Sequence, residues 1–158
     1  MEKDIVKEIG IRGLATRLKR IADAMSHSAR LMYKQLEMDM EPNWFLILNL
    51  IRDDKSISVM DIAKRMGFTH QSVHMMTAKM VKRGYLKPEK DGQDLRRTIF
   101  SLTLKARKVL PETEKIWDYG EEALLEIVEN DLAVLLKLEI IEKNLHERSF
   151  GERIIDKM

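Results

Sequence analysis

His70 and His74 stand four residues apart, the spacing at which two imidazoles on one helix face can share a metal ion. The chain has no cysteine and no third ligand close by in sequence, so the pair has the spacing of a site without its context. Anion chemistry is better supplied. Lys79, Lys82, Lys87, Lys90, Arg96 and Arg97 follow in close succession, and residues 62–108 carry 12 Lys/Arg against 3 Asp/Glu. Residues 109–158 carry 6 against 13, so a net charge of only +2 hides a basic middle and an acidic tail. A basic excess confined to one stretch is the electrostatic footprint of a polyanion partner, although charge alone reads equally well as an unevenly charged solvated surface. Catalytic chemistry is not supplied. There is no nucleophile elbow, phosphate loop or metal quartet, and the acidic residues of the tail are spaced like a solvated helix face, so neither an enzyme nor a cofactor is expected.

The elements around these residues decide between the two readings of the charge. Ser58 with Asp61 three residues on has the form of a capping box opening a helix over Val59–Met66, and Gly67 supplies the left-handed residue that closes it. Phe68 is expected to pack beneath the turn, and Thr69 to cap the next helix. In that second helix Val73, Met76, Thr77, Met80 and Gly84 fall on one face, and Gln71, His74, Met75, Ala78 and Lys82 on the other. Two short helices joined so tightly make a helix-turn-helix. The exposed polar and basic face is what a recognition helix presents to the major groove. Tyr85–Lys90 and Arg97–Leu102 are extended runs flanking an Asp91-Gly92 turn, with Pro88 tolerable only on an edge strand. A hairpin attached to a helix-turn-helix is a wing. Its tip carries Arg96 and Arg97, and arginine is the side chain that enters a narrow minor groove most favourably.

The remainder holds this unit. Leu14, Leu18, Ile21, Met25, Ser28, Met32 and Leu36 form a narrow stripe on one long helix, suited to packing against other helices, including those of a second chain. Pro42 opens a buried central helix, Asn43 to about Asp53, stopped by Asp53-Asp54-Lys55; Ile57 suits a short strand. Thr103 caps a last long helical region in which Pro111 predicts a kink or break. A final helix begins near Asn130 or Asp131 and should fray at its tail. The 11 methionines read as core filling. No apolar run approaches the roughly 20 residues needed to span a bilayer, and the Met1-Glu2-Lys3-Asp4 start lacks the features of a signal peptide, so a cytoplasmic protein with no membrane partner is expected.

The chain resembles the MarR family of winged-helix transcriptional regulators. The resemblance is carried by Asp61-Ile62-Ala63-Lys64-Arg65-Met66-Gly67, by Val73 with Met80 to Gly84, and above all by Asp94-Leu95-Arg96 followed by Ser101-Leu102-Thr103. It implies a mostly α fold: a winged helix-turn-helix with a small β-hairpin wing, flanked by long N- and C-terminal dimerisation helices. As a single domain over 1–158, it would hold a DNA-binding lobe at 38–108 and dimerisation helices at 1–37 and 109–158. It further implies a homodimer that binds double-stranded DNA at a pseudo-palindromic operator, a repressor relieved by a small-molecule effector. Asp94 would brace the wing and Arg96 reach the minor groove, with Thr69, His70, Gln71, His74 and Met75 at the recognition surface. An effector would occupy the crevice between the dimerisation helices and the central helix, lined by Met25, Tyr33, Trp44 and Trp117. Plain packing is the competing role of each of these four. Met75 departs from the family pattern, where a basic residue is frequent; so do Ala106, where glycine is common, and Glu41, where threonine usually precedes the proline. The alternative function is a winged-helix interaction module whose basic face meets an acidic protein.

Overall fold

The computed structural model describes residues 3–54 and 56–158. Met1, Glu2 and Lys55, on which the start and one predicted helix stop partly fall, lie outside the described residues. The chain forms two compact units, the first reaching Lys108 and the second running Val109–Met158.

In the first unit, α1 (Ile5–Glu8) is capped by the Asp4 carboxylate, and a 3-10 turn over Gly10–Gly13 leads into α2 (Leu14–Gln35). Two hydrogen bonds of 3.2 and 3.0 Å from Arg20 to Asp4 fasten α1 to α2, and the guanidinium holds the Asp4 carboxyl below its usual range. A 3-10 turn at Pro42–Trp44 opens α3 (Phe45–Asp54), because the proline ring fixes φ and lacks only an N–H that the first turn leaves unused. The short strand β1 (Ile57–Ser58) precedes α4 (Val59–Met66) and α5 (His70–Lys82). The wing is β2 (Leu86–Lys90) and β3 (Thr98–Leu102). All three strands form one antiparallel sheet in the order β1-β3-β2, so Pro88, opposite Phe100, lies on an edge.

Alternation decides what the core contains. Ile47, Leu48 and Ile51 of α3, Ile62 of α4, Val73 and Met80 of α5, and Leu86 of β2 are all buried, as is Trp44. Thr77 is buried among them, its hydroxyl donating to the carbonyls of Val73 and His74 at 3.0 and 3.1 Å, which removes the cost of burying it. The Trp44 indole N–H is buried with no acceptor among the described residues. The stripe on α2 is not core in this chain. Ile21, Met25 and Leu36 are exposed, and Tyr33 is the buried residue of that helix.

The boundary between units falls within α6 (Leu104–Ile127), which Pro111 does not break. Arg107 and Pro111 are both exposed, so water can reach the carbonyl that the missing N–H leaves. The second unit continues with α7 (Ala133–Glu147) and α8 (Phe150–Ile155), neither of which buries a residue. The predicted frayed tail is instead a capped helix. The Ser149 hydroxyl accepts from the Glu152 N–H and the Glu152 carboxylate accepts from the Ser149 N–H at 2.8 Å, a full capping box. No helix among the described residues is long and apolar enough to cross a membrane.

Candidate nucleic-acid interface

The two-faced pattern of α5 is realised. Val73, Met76, Thr77 and Met80 are buried, while Gln71, His74, Met75, Ala78 and Lys82 are exposed. Gly84 alone departs from its predicted place: it lies beyond the helix at φ +75, closing it rather than extending its core face. Thr69 caps α5 as expected, accepting from the Ser72 N–H at 3.2 Å and sharing a 2.8 Å hydrogen bond with the Ser72 hydroxyl. His70 and His74 stack with ring centroids 6.5 Å apart, and the described residues contain no group of three or more ligands that could hold a metal.

The helix-turn-helix is set by the end of α4. Gly67, at φ +65, sends its N–H to the Lys64 carbonyl, and Phe68 sends its N–H to Ala63 at 3.0 Å, the paired bonds of a Schellman ending. Phe68, expected to pack beneath the turn, is 45% exposed, whereas Ile62 and Val73 on either side of it are buried. At the start of α4 the capping box is altered. The Ser58 hydroxyl accepts from the Asp61 N–H and donates to the Asp61 carboxylate at 2.6 Å. The shorter Asp side chain thus meets the cap hydroxyl rather than reaching back as glutamate does.

That carboxylate has a second partner. Arg97 donates to Asp61 at 2.7 Å and to the Ser58 hydroxyl at 3.2 Å, with Asp91 3.8 Å away. Arg97, expected at the tip as a DNA contact, also ties the wing to α4, a pairing 36 residues apart that leaves no local signal in the sequence. The tip itself is two side-chain turns. The Asp91 carboxylate accepts from the Gln93 N–H at 2.9 Å, and that of Asp94 from the Arg96 N–H at 3.0 Å. Asp94 therefore shapes the tip and leaves Arg96 exposed beyond it.

The lysines divide. Lys79 is held by both oxygens of Glu41 at 3.2 and 3.3 Å, and Lys87 by Glu89 at 2.5 Å. Lys82, Lys90 and Arg96 form no ion pair among the described residues and present their full charge outward. Beside α5 lies a cluster that sequence reading missed. Arg83 sits 5.4 Å over the Trp44 ring, and Lys105 donates to Asp39 at 2.6 Å and to the Arg83 carbonyl at 2.8 Å. Lys105 also lies 4.5 Å from the Tyr85 ring, and its bond to Asp39 raises its pKa above the usual lysine range. These contacts tie the end of α5 to the segment joining α2 and α3.

The four side chains expected around an effector differ in burial. Tyr33 and Trp44 are buried, Met25 is exposed on α2, and Trp117 is half-buried on α6 in the second unit. Two open grooves lie elsewhere in the first unit. One, of about 650 Å³, lies between α4 and the wing beside Asp61 and Arg97; the other, of about 560 Å³, runs along α5 past Phe68, Met75 and Lys79.

Residues 38–97 match the sequence model of the MarR family. No curated protein matches the chain. Among solved structures, a MarR/EmrR family transcriptional regulator from Acinetobacter sp. ADP1 is 19% identical, with a TM-score of 0.68 and coverage of 93% of this chain and 97% of that one. A mutant MarR from E. coli complexed with operator DNA is also 19% identical, with a TM-score of 0.64 over 90% of this chain and 99% of its own. The transcriptional regulator BldR from Sulfolobus solfataricus gives 19% and 0.61 over 90% and 99%. The likeness in structure extends the fold over the helices on both sides of the segment that matches the MarR family model.

Proposed function

We propose that this protein is a dimeric, sequence-specific DNA-binding repressor released by a small-molecule ligand. The observation that carries the reading is the exposed face of α5, with Lys82 uncommitted along it and Arg96 held out on a turn of the same lobe. In this reading residues 38–108 bind DNA and residues 1–37 and 109–158 dimerise. Thr69, His70, Gln71, His74 and Met75 meet base edges, Lys79, Lys82, Lys87 and Lys90 meet phosphates, and Arg96 enters the minor groove with Arg97 beside it, held to α4 in the free chain. Lys79 and Lys87 exchange their carboxylate partners for phosphate on binding. The E. coli relative solved with operator DNA supports the same partner here.

Dimerisation follows from the apolar rows left uncovered. Ile11, Leu14, Leu18 and Ile21 in the first unit, and Leu132, Leu135, Leu136 and Ile140 in the second, are too many to leave in water on a stable monomer. Two recognition helices then read half-sites about 34 Å apart, so the operator is a pseudo-palindrome. The effector arm attaches to Trp44, whose buried indole N–H lacks an acceptor that a polar ligand group could supply.

Binding to a duplex selected from random sequence tests the whole reading. The logarithm of affinity is expected to fall linearly with log salt at about 0.9 per neutralised phosphate. Arg96→Ala is expected to weaken binding and to reduce the preference for A·T-rich flanks. No retention on any duplex at low salt overturns the proposal, and unchanged affinity in the Arg96 variant removes that residue from the interface.

A further inference from the structure

We propose that Phe68 and Met75 form the specificity pair of this protein, reading the 5-methyl group of thymine in the major groove; the inference rests on the DNA-binding reading above. Both side chains are exposed, Phe68 at 45% and Met75 at 55%, on a surface otherwise made of polar and basic groups. They line one open groove beside the N-terminal half of α5, together with Thr69, Ser72 and Lys79. That half of a recognition helix is the part that lies against base edges.

In the free chain the hydroxyls and the lysine of the groove bond one another or Glu41. The Thr69 and Ser72 hydroxyls bond each other at 2.8 Å, Thr69 also caps the Ser72 N–H, and Lys79 is held by Glu41. The apolar groups that the groove offers a base edge are the ring of Phe68 and the thioether of Met75, both exposed. The major groove displays one apolar group in unmodified DNA, the thymine methyl, and phenylalanine is among the side chains that contact it. The Gly67 and Phe68 N–H groups close α4 through the backbone, and nearly half of the Phe68 surface is left exposed at this turn. Lys79 lines the groove, and His70, His74 and Lys82 are exposed on the same helix, a setting that suits a polyanion as its occupant. Met75 adapts to the position of the methyl, since an unbranched thioether repacks at little cost.

The test uses the full chain and a duplex it selects from random sequence. Each thymine is replaced in turn by deoxyuridine, which removes the methyl and leaves every hydrogen-bonding group. Loss of about fourfold in affinity is expected at one or two thymines of each half-site, the factor that follows from leaving one methyl in water. In Phe68→Ala the thymine-over-uracil ratio at those positions falls to about 1, whereas Met75→Leu keeps it. A thermal midpoint equal to that of the parent chain establishes that the variant is folded. If the chain selects no duplex, the functional reading fails and the inference falls with it. If it selects one but tolerates uracil at every position, or if Phe68→Ala keeps the parent ratio, the inference alone is overturned.

Discussion

At Gly67 and at Gly84 the chain leaves a helix by the same pair of hydrogen bonds, with a left-handed glycine followed by an aromatic residue. After Gly84 the aromatic goes inward. Tyr85 is 2% exposed and meets Trp44 edge-on with ring centroids 5.4 Å apart. Partners from distant sequence knit that turn: Thr103 donates its hydroxyl to the Gly84 carbonyl at 2.6 Å, and Lys105 donates to the Arg83 carbonyl. After Gly67 the aromatic is exposed at 45%. Identical local backbone thus yields a packing anchor at one end of α5 and an exposed contact at the other. What differs is only what lies beneath. The comparison teaches that the turn fixes the direction of the chain, while tertiary surroundings assign its aromatic to stability or to recognition.

The largest effect that could break this contrast is on stability. Tyr85→Ala removes a buried ring from against Trp44 and is expected to cost about 3–5 kcal/mol, the range for emptying an aromatic site in a core. Phe68→Ala is expected to change stability by no more than about 0.5 kcal/mol, as for other surface changes. Urea unfolding of both variants at one fixed chain concentration measures this, because dimer stability depends on concentration. Comparable losses in the two variants would mean that Phe68 is a structural residue.

These two aromatics also mark where sequence ceases to be informative. Met66-Gly67-Phe68 and Arg83-Gly84-Tyr85 carry the same local signal, and burial of the third residue depends on Trp44 and Thr103, far away in the chain. The periodicity that divided Val73, Met76, Thr77 and Met80 from Gln71, His74 and Met75 was legible because a helix repeats at a fixed angle. Pro88 on an edge strand was legible because proline cannot donate to a ladder. The capping box that orders the tail was also present as Ser149 and Glu152, three residues apart, and reading its spacing would have replaced the expectation of fraying. By contrast, the bond from Arg97 to Asp61 is a product of the assembled fold and leaves no periodic trace.

A smaller effect sharpens the comparison at its shared part. Gly67→Ala and Gly84→Ala each force a Cβ into a left-handed conformation and are expected to cost about 1–2 kcal/mol. Space is not the issue at either position: a Cβ at Gly67 has nothing within 4 Å, and one at Gly84 meets only the Lys105 Cδ at 3.9 Å. Equal losses, read from urea midpoints, would establish that the two turns share one local energetics. A clearly larger loss at Gly84 would mean that strain there is transmitted to Tyr85 and Lys105, and that the turn itself differs.

The smallest effect is confined to alkaline pH and to the inward turn. Burial raises the pKa of Tyr85, and the bond to Asp39 raises that of Lys105. Both groups hold their proton more tightly in the folded chain than in the unfolded one, so what they contribute is complete below their unfolded values. It is lost as pH rises through the folded values, which places the loss above about pH 10 and leaves stability between pH 7 and 9 unaffected by them. Other lysines and tyrosines titrate in the same window, so the informative quantity is the difference between the parent chain and Tyr85→Phe. That variant keeps the ring against Trp44 but has no phenol to ionise, and it is expected to lose less stability between pH 9 and 11. Superimposable pH profiles for the two chains would show that Tyr85 retains enough contact with water to ionise without penalty, and would remove its hydroxyl from the contrast with Phe68.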